Sequence, residues 1–262
     1  MIDRIEYSII DQCNLNCAHC CHYAPIAKPY TVTRIQFHRD VVQLGKLTAG
    51  GKYLGTLGIL GGEPLLHKDF IDLCIDAREC LPLSRIRVTT NGLLLNKLTK
   101  QQLCILRRFD IEILISKYRE EDDFDAMDKL LTEYGIVHKF CNNNELVEFA
   151  KYSIDETGSQ NPEESHKLCE LWKEYYTCHE LRDGKLYPCS QIARAESLNE
   201  AFGLNLKITN NDYVDIYGDY TLAQIESAMR NTPDYCKYCK VKEWNTPVGK
   251  WQKSTKSKEE FI

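Results

Sequence analysis

The chain has 262 residues, of which 43% are hydrophobic and 27% charged, and its formal net charge is −5. This length suffices to bury a sizeable core, and the ordinary hydrophobic content excludes wholesale disorder. The acidic balance gives no electrostatic attraction to nucleic acid, and the apolar runs fall well short of the ~18 residues that indicate a membrane span. The first residues mix charges and lack the apolar core of a signal peptide. We therefore expect a cytoplasmic protein that binds neither nucleic acid nor membranes.

Apolar periodicity predicts alternating strands and helices through the first part of the chain. Strands are predicted over residues 5–10, 53–60, 85–90, 111–116 and 136–140, with a sixth over 146–154. Helices are predicted between them over residues 33–47, 67–80, 98–108 and 124–134. Repeated βα units imply a parallel sheet, and five or six units are too few to close an eight-stranded barrel. We expect an α/β fold, an open or partial barrel, with its functional site at the carboxyl ends of the strands.

The pattern changes after residue 155. Residues 156–165 are polar and are interpreted as a linker or loop. The Asp183-Gly184 pair predicts a β-hairpin, a helix is predicted over residues 222–229, and the charged end of the chain is expected to fray. The sequence thus predicts a barrel core at residues 1–155, a small cysteine-rich domain of a β-hairpin and a helix at 156–245, and a polar C-terminal tail at 246–262.

The 13 cysteines are the unusual feature of the composition. In a reducing compartment a disulfide framework is not expected, and dense cysteine favours metal binding or catalysis. Four cysteines are scattered through the first part of the chain and are interpreted as small core residues: Cys74, Cys80, Cys104 and Cys141. The others form one group near the N-terminus and a second group in the last third of the chain.

The first group carries the spacing Cys-x3-Cys-x2-Cys at Cys13, Cys17 and Cys20, directly after the first predicted strand. Three thiolates in a short loop suit an iron–sulfur cluster, because soft ligands bind such clusters, and three ligands leave one iron of a four-iron cluster open. The alternative is a zinc site, which usually needs four ligands. Cys21 is a poor fourth ligand, because adjacent residues rarely face one metal, whereas His22 remains a candidate.

This motif resembles the signature of the radical S-adenosylmethionine (radical SAM) superfamily. Three later segments resemble motifs of the same family in the same order: Gly61-Gly62-Glu63-Pro64, Thr89-Thr90-Asn91-Gly92 and Ser116. His19 stands where the family often has an aromatic residue near the adenine. The resemblance covers about residues 5–155. It implies a partial (β/α)6 barrel, a [4Fe–4S] cluster on the three cysteines, and a set of residues that bind SAM: Gly61, Gly62, Glu63, Pro64, Asn91, Ser116 and His19.

The resemblance also implies the chemistry. SAM would chelate the open iron, and an electron from the reduced cluster would cleave SAM to a 5′-deoxyadenosyl radical that abstracts hydrogen from the substrate. The electron would come from a reductant such as flavodoxin or ferredoxin. Glu63 is interpreted either as an acceptor for the ammonium group of SAM or as a charge at a helix N-terminus.

The second cysteine group resembles the truncated SPASM, or twitch, domain, which implies an auxiliary [4Fe–4S] cluster. Five cysteines compete for four places: Cys169, Cys178, Cys189, Cys236 and Cys239. Cys178 is treated as a substitute ligand, because in the predicted hairpin it would lie opposite Cys189. The alternative is a zinc ribbon, since a Cys-x2-Cys pair beside a hairpin cysteine also suits zinc.

Residues 17–25, 113–118 and 181–189 also resemble a subgroup whose members often accompany glycosyltransferase and capsule genes in bacteria. That association suggests a small polar substrate, a sugar or a cyclitol. The expected activity is a radical SAM oxidoreductase in which the auxiliary cluster accepts an electron from the substrate radical. Two alternatives stay open: modification of a ribosomally made peptide or protein, and a non-catalytic zinc or redox-sensing protein.

Overall fold

The computed structural model describes residues 1–173, 179–244 and 247–262, without the side chains of Asn143 and residues 171–173. The chain folds into two compact units. The first consists of Met1–Ile10 and Thr31–Val147, and the second of Asp11–Tyr30 and Glu148–Ile262. Within the ranges described, no helix is long and apolar enough to cross a membrane.

The first unit is built on a parallel sheet with helices between successive strands. The strands are β1 (Ile2–Ser8), β2 (Leu54–Leu60), β3 (Arg85–Thr90), β4 (Ile111–Ile115) and β5 (His138–Phe140). The helices are α1 (Arg34–Leu47), α2 (Phe70–Cys80), α3 (Lys100–Arg108) and α4 (Phe124–Glu133). Neighbouring strands pair in the order β5-β4-β3-β2-β1, all in parallel. The predicted α/β class with a parallel sheet is confirmed.

Local chemistry explains where these elements begin and how they pack. The side chain of Thr33 caps α1 by accepting from the backbone N–H of Gln36, and Thr99 and Gln102 form a capping box at α3. Ile86, Val88 and Ile113 of the central strands are fully buried, as expected where helices cover a parallel sheet.

The four cysteines outside the two groups differ in burial. No disulfide joins two of the described cysteines. Cys74 is buried and Cys80 and Cys141 are half-buried, whereas Cys104 is exposed on α3. The prediction that Cys104 fills the core is therefore wrong, because its position on the helix points away from the buried Leu103 and Leu106.

The second unit contains short antiparallel strands and helices. Its strands are β6 (Phe149–Ala150), β7 (His179–Arg182), β8 (Lys185–Tyr187), β9 (Val214–Asp215) and β10 (Pro247–Gly249). Its helices are α5 (Pro162–Lys173), α6 (Ser190–Ala193), α7 (Ala195–Phe202) and α8 (Leu222–Arg230). Strands β7, β8 and β9 form one antiparallel ladder, and β6 pairs antiparallel with β10. The sixth strand expected over 146–154 is thus only β6, which pairs with β10.

The predicted hairpin is present, with its turn at Asp183 and Gly184. Both residues have positive φ, 50° and 75°, as a two-residue type I′ turn requires. The expected linker over 156–165 differs, because α5 already begins at Pro162. Proline suits the first helical position, and the acidic Glu163 and Glu164 favour the helix N-terminus.

The end of the chain is not frayed. Phe261 is 2% exposed and packs in a hydrophobic core with Tyr23, Tyr235 and Leu198. The apolar pair Phe261-Ile262 outweighs the charged residues before it, because burying one aromatic side chain contributes about 1.5–3 kcal/mol. The expected division into domains at residues 155 and 245 stays a prediction.

Candidate functional site

The loop that carries Cys13, Cys17 and Cys20 belongs to the second unit and begins at a buried ion-pair network. Asp11 accepts two hydrogen bonds from Arg182, at 2.9 and 2.8 Å, and one from Arg194 at 2.8 Å. Arg194 also pairs with the buried Glu180 at 3.0 Å and donates to the carbonyl of His22 at 3.1 Å. Burial would raise the pKa of Asp11, but the two guanidinium groups lower it overall. The network holds both ends of the cysteine loop.

The loop brings the three predicted ligands together. Cys17 is buried, whereas Cys13 and Cys20 are half-buried. Asn16 and His19, with φ of 50° and 56°, turn the backbone sharply on either side of Cys17. Burial, and then the negative charges of Cys20 and Cys13, raise the pKa of Cys17 to about 12. A negative charge on Cys17 is therefore opposed by the charges on the other two cysteines of the loop.

This donor set fits an iron–sulfur cluster. In the part of the chain that the structure describes, no three Cys, His, Asp or Glu side chains stand at the spacing of a single metal ion. A four-iron cluster does not require that spacing, because each thiolate binds a different iron. Positive iron would relieve the mutual repulsion of the three thiolates and lower their pKa values.

The C-terminal segment lies against the cysteine loop, which the sequence analysis missed. The backbone N–H of Ala18 donates to the carbonyl of Gln252, and that of Ser254 to the carbonyl of Asn16, each at 2.8 Å. The indole N–H of Trp251 donates to Sγ of Cys17 at 3.2 Å. These contacts join residues more than 230 positions apart, and no local sequence pattern predicts such contacts.

His19, expected near the adenine, also contacts this segment. Its Nδ1 lies 2.9 Å from the carbonyl oxygen of Glu260. A carbonyl only accepts, so the neutral ring carries its proton on Nδ1. That contact fixes the orientation of the ring, while the adenine role stays a prediction.

In the first unit, the Gly61-Gly62 turn follows β2 and packs against Ile10. A Cβ atom at Gly61 would lie 2.1 Å from the carbonyl oxygen of Ile10. The N–H of Gly62 donates to that same oxygen at 2.7 Å. The glycine at position 61 is therefore required by the approach of another strand end, whether or not a ligand is bound.

Glu63 is buried and joins the ends of β2 and β3. Its carboxylate accepts from the hydroxyl of Thr90 at 2.7 Å, the N–H of Asn91 at 2.9 Å and the N–H of Leu65 at 3.0 Å. Burial raises the pKa of Glu63, and these hydrogen bonds oppose the rise. Pro64 is buried at the start of the short 3₁₀ helix Pro64–Leu66, with Glu63 as its N-cap. Of the two roles predicted for Glu63, the geometry supports a charge at a helix N-terminus.

Asn91 and Ser116 follow β3 and β4 at the same edge of the sheet. The side chain of Asn91 accepts from the N–H of Leu93 at 3.1 Å and so stabilises the turn. The N–H of Ser116 donates to the carbonyl of Thr90 at 2.9 Å. The hydroxyl of Ser116 lies 3.4 Å from Sγ of Cys141, which follows β5. The predicted SAM residues of this unit thus stand at adjacent strand ends.

The second cysteine group is partly gathered around one core. Cys236 and Cys239 lie at the 3₁₀ turn Asp234–Tyr238, and both are buried. Cys169 and Cys189 pack against the core that includes Cys239. Cys178 and its expected position opposite Cys189 lie outside the described residues.

Two buried phenols face this group. Burial, and then the charges of Cys239, Cys21, Cys189 and Cys20, raise the pKa of Tyr23 well above its usual value. Tyr235 is affected in the same way by burial, by Tyr23, and by Cys239 and Cys189. Neither hydroxyl has a hydrogen-bond partner among the described residues. Two orphaned donors beside several thiols fit an acceptor-rich group such as an iron–sulfur cluster.

Comparison with known proteins agrees with the first motif. Residues 7–131 match the family model described as the Radical SAM superfamily. The GTP 3′,8-cyclase of Peptoclostridium acidaminophilum is 32% identical over 118 residues, which are 43% of this chain and 34% of that protein. The GTP 3′,8-cyclase of Petrotoga mobilis is 29% identical over 177 residues, 59% of this chain and 53% of that protein. The chain therefore spans about a third to a half of the length of these relatives.

Solved structures show the same fold over nearly the whole chain. Native anSMEcpe with bound AdoMet has a TM-score of 0.56 at 12% identity, covering 96% of this chain and 93% of that one. BtrN in complex with AdoMet and 2-DOIA has a TM-score of 0.54 at 16% identity, covering 92% and 93%. At such low identity the likeness concerns the fold alone. Residues 7–131 of this chain thus match the radical SAM superfamily, and that superfamily implies a [4Fe–4S] cluster and S-adenosylmethionine.

Proposed function

We propose that this protein is a radical SAM oxidoreductase that acts on a small polar metabolite, a sugar or a cyclitol. The observation that carries the proposal is the Cys-x3-Cys-x2-Cys loop of Cys13, Cys17 and Cys20 within the residues that match the radical SAM family model. When bound there, the cluster and SAM supply a 5′-deoxyadenosyl radical, which removes a hydrogen atom from the substrate. The chain around this loop would bind and orient these groups and exclude solvent from them.

The strand ends of the first unit are proposed to bind SAM through a backbone that its side chains hold in place. Glu63 accepts from Thr90, Asn91 and Leu65, so its oxygens already have three donors. Gly61 allows the close approach of Ile10, and Gly62 donates to it. Because the Glu63 carboxylate already has these donors, the backbone of the Gly-Gly turn is proposed as the better partner for the methionine end of SAM.

The second cysteine group is proposed to bind an auxiliary [4Fe–4S] cluster that accepts an electron from the substrate radical. The proposed ligands are Cys169, Cys189, Cys236 and Cys239, with Cys178 as the substitute. The hydroxyls of Tyr23 and Tyr235, which have no hydrogen-bond partner among the described residues, support this choice. Thiolate and sulfide would accept their hydrogen bonds. Abstraction of a carbon-bound hydrogen atom by the radical, transfer of one electron to the auxiliary cluster and release of the hydroxyl proton to solvent would together give a net two-electron oxidation, such as alcohol to ketone.

The names of the curated relatives favour a second candidate substrate. Both relatives described above are GTP 3′,8-cyclases, so a purine nucleotide is the alternative to a sugar or cyclitol. Incubation with each class separates them, because the true substrate increases 5′-deoxyadenosine formation and is converted into a new compound that chromatography resolves. If the substrate is a peptide, neither incubation should increase 5′-deoxyadenosine formation.

The proposal is tested by iron content and SAM cleavage in anaerobically purified protein. We expect about eight irons and eight sulfides per chain, and 5′-deoxyadenosine on addition of dithionite and SAM. Cys13→Ala should lose about four irons and all SAM cleavage, whereas Cys104→Ala, which removes an exposed thiol, should change neither. The Cys236→Ala/Cys239→Ala variant should keep about four irons and SAM cleavage but form no oxidised product.

Three results contradict parts of this proposal. Zinc without iron, or a colourless protein that does not bind SAM, would support the non-catalytic alternative. About four irons plus zinc in the unchanged chain would make the second group a structural zinc site. Normal product formation by the double variant would exclude the electron-accepting role.

A further inference from the structure

Trp251 stands beside the cysteine loop within the second unit. Its indole N–H donates to Sγ of Cys17 at 3.2 Å. The contact is held by main-chain bonds on both sides of it. Ala18 donates to Gln252, Ser254 donates to Asn16, and an antiparallel bridge joins Cys17 to Lys253. The indole is therefore positioned by backbone geometry rather than by a flexible side chain alone.

The far end of the same segment is also anchored. The carboxylate of Glu260 accepts from the N–H and hydroxyl of Thr255 and from the hydroxyl of Ser254, which closes the segment into a compact turn. The carbonyl of Glu260 accepts from His19, two residues after Cys17. Phe261 is buried in the hydrophobic core of this unit. Residues 251–261 thus form a strap, fixed at both ends, on the cysteine loop.

The chemistry of the contact is specific. Indole nitrogen is a donor only, and a thiolate sulfur bound to iron is an acceptor. Hydrogen bonds to the sulfur ligands of an iron–sulfur cluster help to set its reduction potential, because they withdraw electron density from the sulfur. A donor on Cys17 therefore favours the reduced cluster, which carries one more negative charge.

We propose that Trp251 is a positioning residue whose hydrogen bond to Cys17 raises the reduction potential of the cluster on Cys13, Cys17 and Cys20, with the strap 251–261 holding the indole in place. This inference rests on the proposed function for the presence of that cluster. It adds a residue of the C-terminal segment to a site otherwise formed near the N-terminus of the chain.

The size of the effect follows from the strength of the bond. A hydrogen bond to a charged group is stronger than one between neutral groups, and only the difference in its strength between the two redox states changes the potential. We expect Trp251→Phe to lower the ratio of reduced to oxidised cluster at a fixed potential by roughly threefold to tenfold. At about 59 mV per tenfold for one electron, this is a negative shift of roughly 30–60 mV.

The experiment compares Trp251→Phe with Trp244→Phe. Phenylalanine keeps an aromatic ring and removes only the donor. The indole N–H of Trp244 donates to the carbonyl of Ser153 at 3.0 Å, so its loss removes an equivalent bond without touching a Cys17 contact. Both variants and the unchanged protein are titrated anaerobically with a low-potential reductant and mediators. The reduced signal that changes on addition of SAM is followed by electron paramagnetic resonance.

The expected result is normal iron content in both variants and a lower midpoint only for Trp251→Phe. An unchanged midpoint in Trp251→Phe, or an equal shift in Trp244→Phe, would overturn the inference. Loss of iron from Trp251→Phe alone would also overturn it, since the indole would then be needed for assembly of the site rather than for its potential. Absence of iron from the unchanged protein would instead refute the proposed function.

Discussion

Replacing Gly61 by alanine tests whether the Gly-Gly turn is required by the chain or by a ligand. The new Cβ would lie 2.1 Å from the carbonyl oxygen of Ile10, and 3.1 Å from both its carbonyl carbon and its Cγ2 atom. The nearest atom belongs to the backbone and cannot rotate away, so the two strand ends must separate. That movement breaks the 2.7 Å bond from Gly62 to Ile10.

The expected loss follows from these two effects. Overpacking in a close-packed interior costs about 1–3 kcal/mol, and the net contribution of a lost hydrogen bond is about 0.5–1.5 kcal/mol. Gly61→Ala should therefore lower the free energy of unfolding by roughly 2–4 kcal/mol. Gly58, on the same strand, is the matched control. A Cβ there would meet its nearest neighbours at 3.6 Å, an ordinary contact, so Gly58→Ala should be neutral or stabilise by about 0.5–1 kcal/mol.

Anaerobic urea denaturation without added SAM measures both variants, and calorimetry then measures their affinity for SAM. The reasoning is refuted if Gly61→Ala unfolds at the same urea concentration as the unchanged protein. If its stability is normal and only SAM affinity falls, the glycine is required by the ligand. Equal destabilisation by Gly58→Ala would show that the strand tolerates no side chain at all.

Two further substitutions test the supports of the candidate site. Arg194→Met leaves the buried carboxylate of Glu180 without its guanidinium partner. We expect urea denaturation to show a free energy of unfolding lower by about 3–5 kcal/mol, and we expect a lower iron content. The control Arg230→Met changes an exposed residue and should be neutral. Glu63→Gln replaces one carboxylate oxygen by an amide NH₂ group, so the three donors keep a single oxygen as their acceptor. We expect the free energy of unfolding to fall by about 1–3 kcal/mol. Glu79→Gln, on the exposed face of α2, should leave stability unchanged. Full stability of either site variant would show that the hydrogen bonds described above are dispensable.

The parallel sheet was predictable because its signal is local. Strand β3 begins and ends at the predicted residues, and β2 and β4 each differ at one end by one residue. Strands β2 and β4 are largely apolar, and β3 alternates buried Ile86 and Val88 with less buried residues, so each pattern is carried by neighbouring positions. The short strand β6 was not predictable in its pairing, because β10 lies about a hundred residues later. Helix α7 was missed for another reason: its apolar positions are few, and its burial depends on the core around Tyr235.

The distinction between local sequence patterns and long-range contacts also applies to the candidate site. The spacing of Cys13, Cys17 and Cys20 is a local pattern, and it led to the family correctly. Asp11 also lies close to these cysteines, but an acidic residue near a motif has no meaning until Arg182 and Arg194 are known to reach it. Trp251 could not be found at all, because its partner is 234 positions away. A sequence pattern therefore identified the ligands, while the groups that orient them depend on tertiary structure.

Glu63 shows that the type of a motif residue can be set by the fold itself. A buried carboxylate is costly unless donors surround it, and here Leu65, Thr90 and Asn91 provide them from the chain itself. Removing the charge would leave those donors unpaired, so the residue type is fixed by the fold. The same holds for Gly61 against Ile10. These contacts fix the position of the turn's backbone, and we expect backbone oxygen atoms of residues 62–64, held by Glu63, to meet the amino group of SAM.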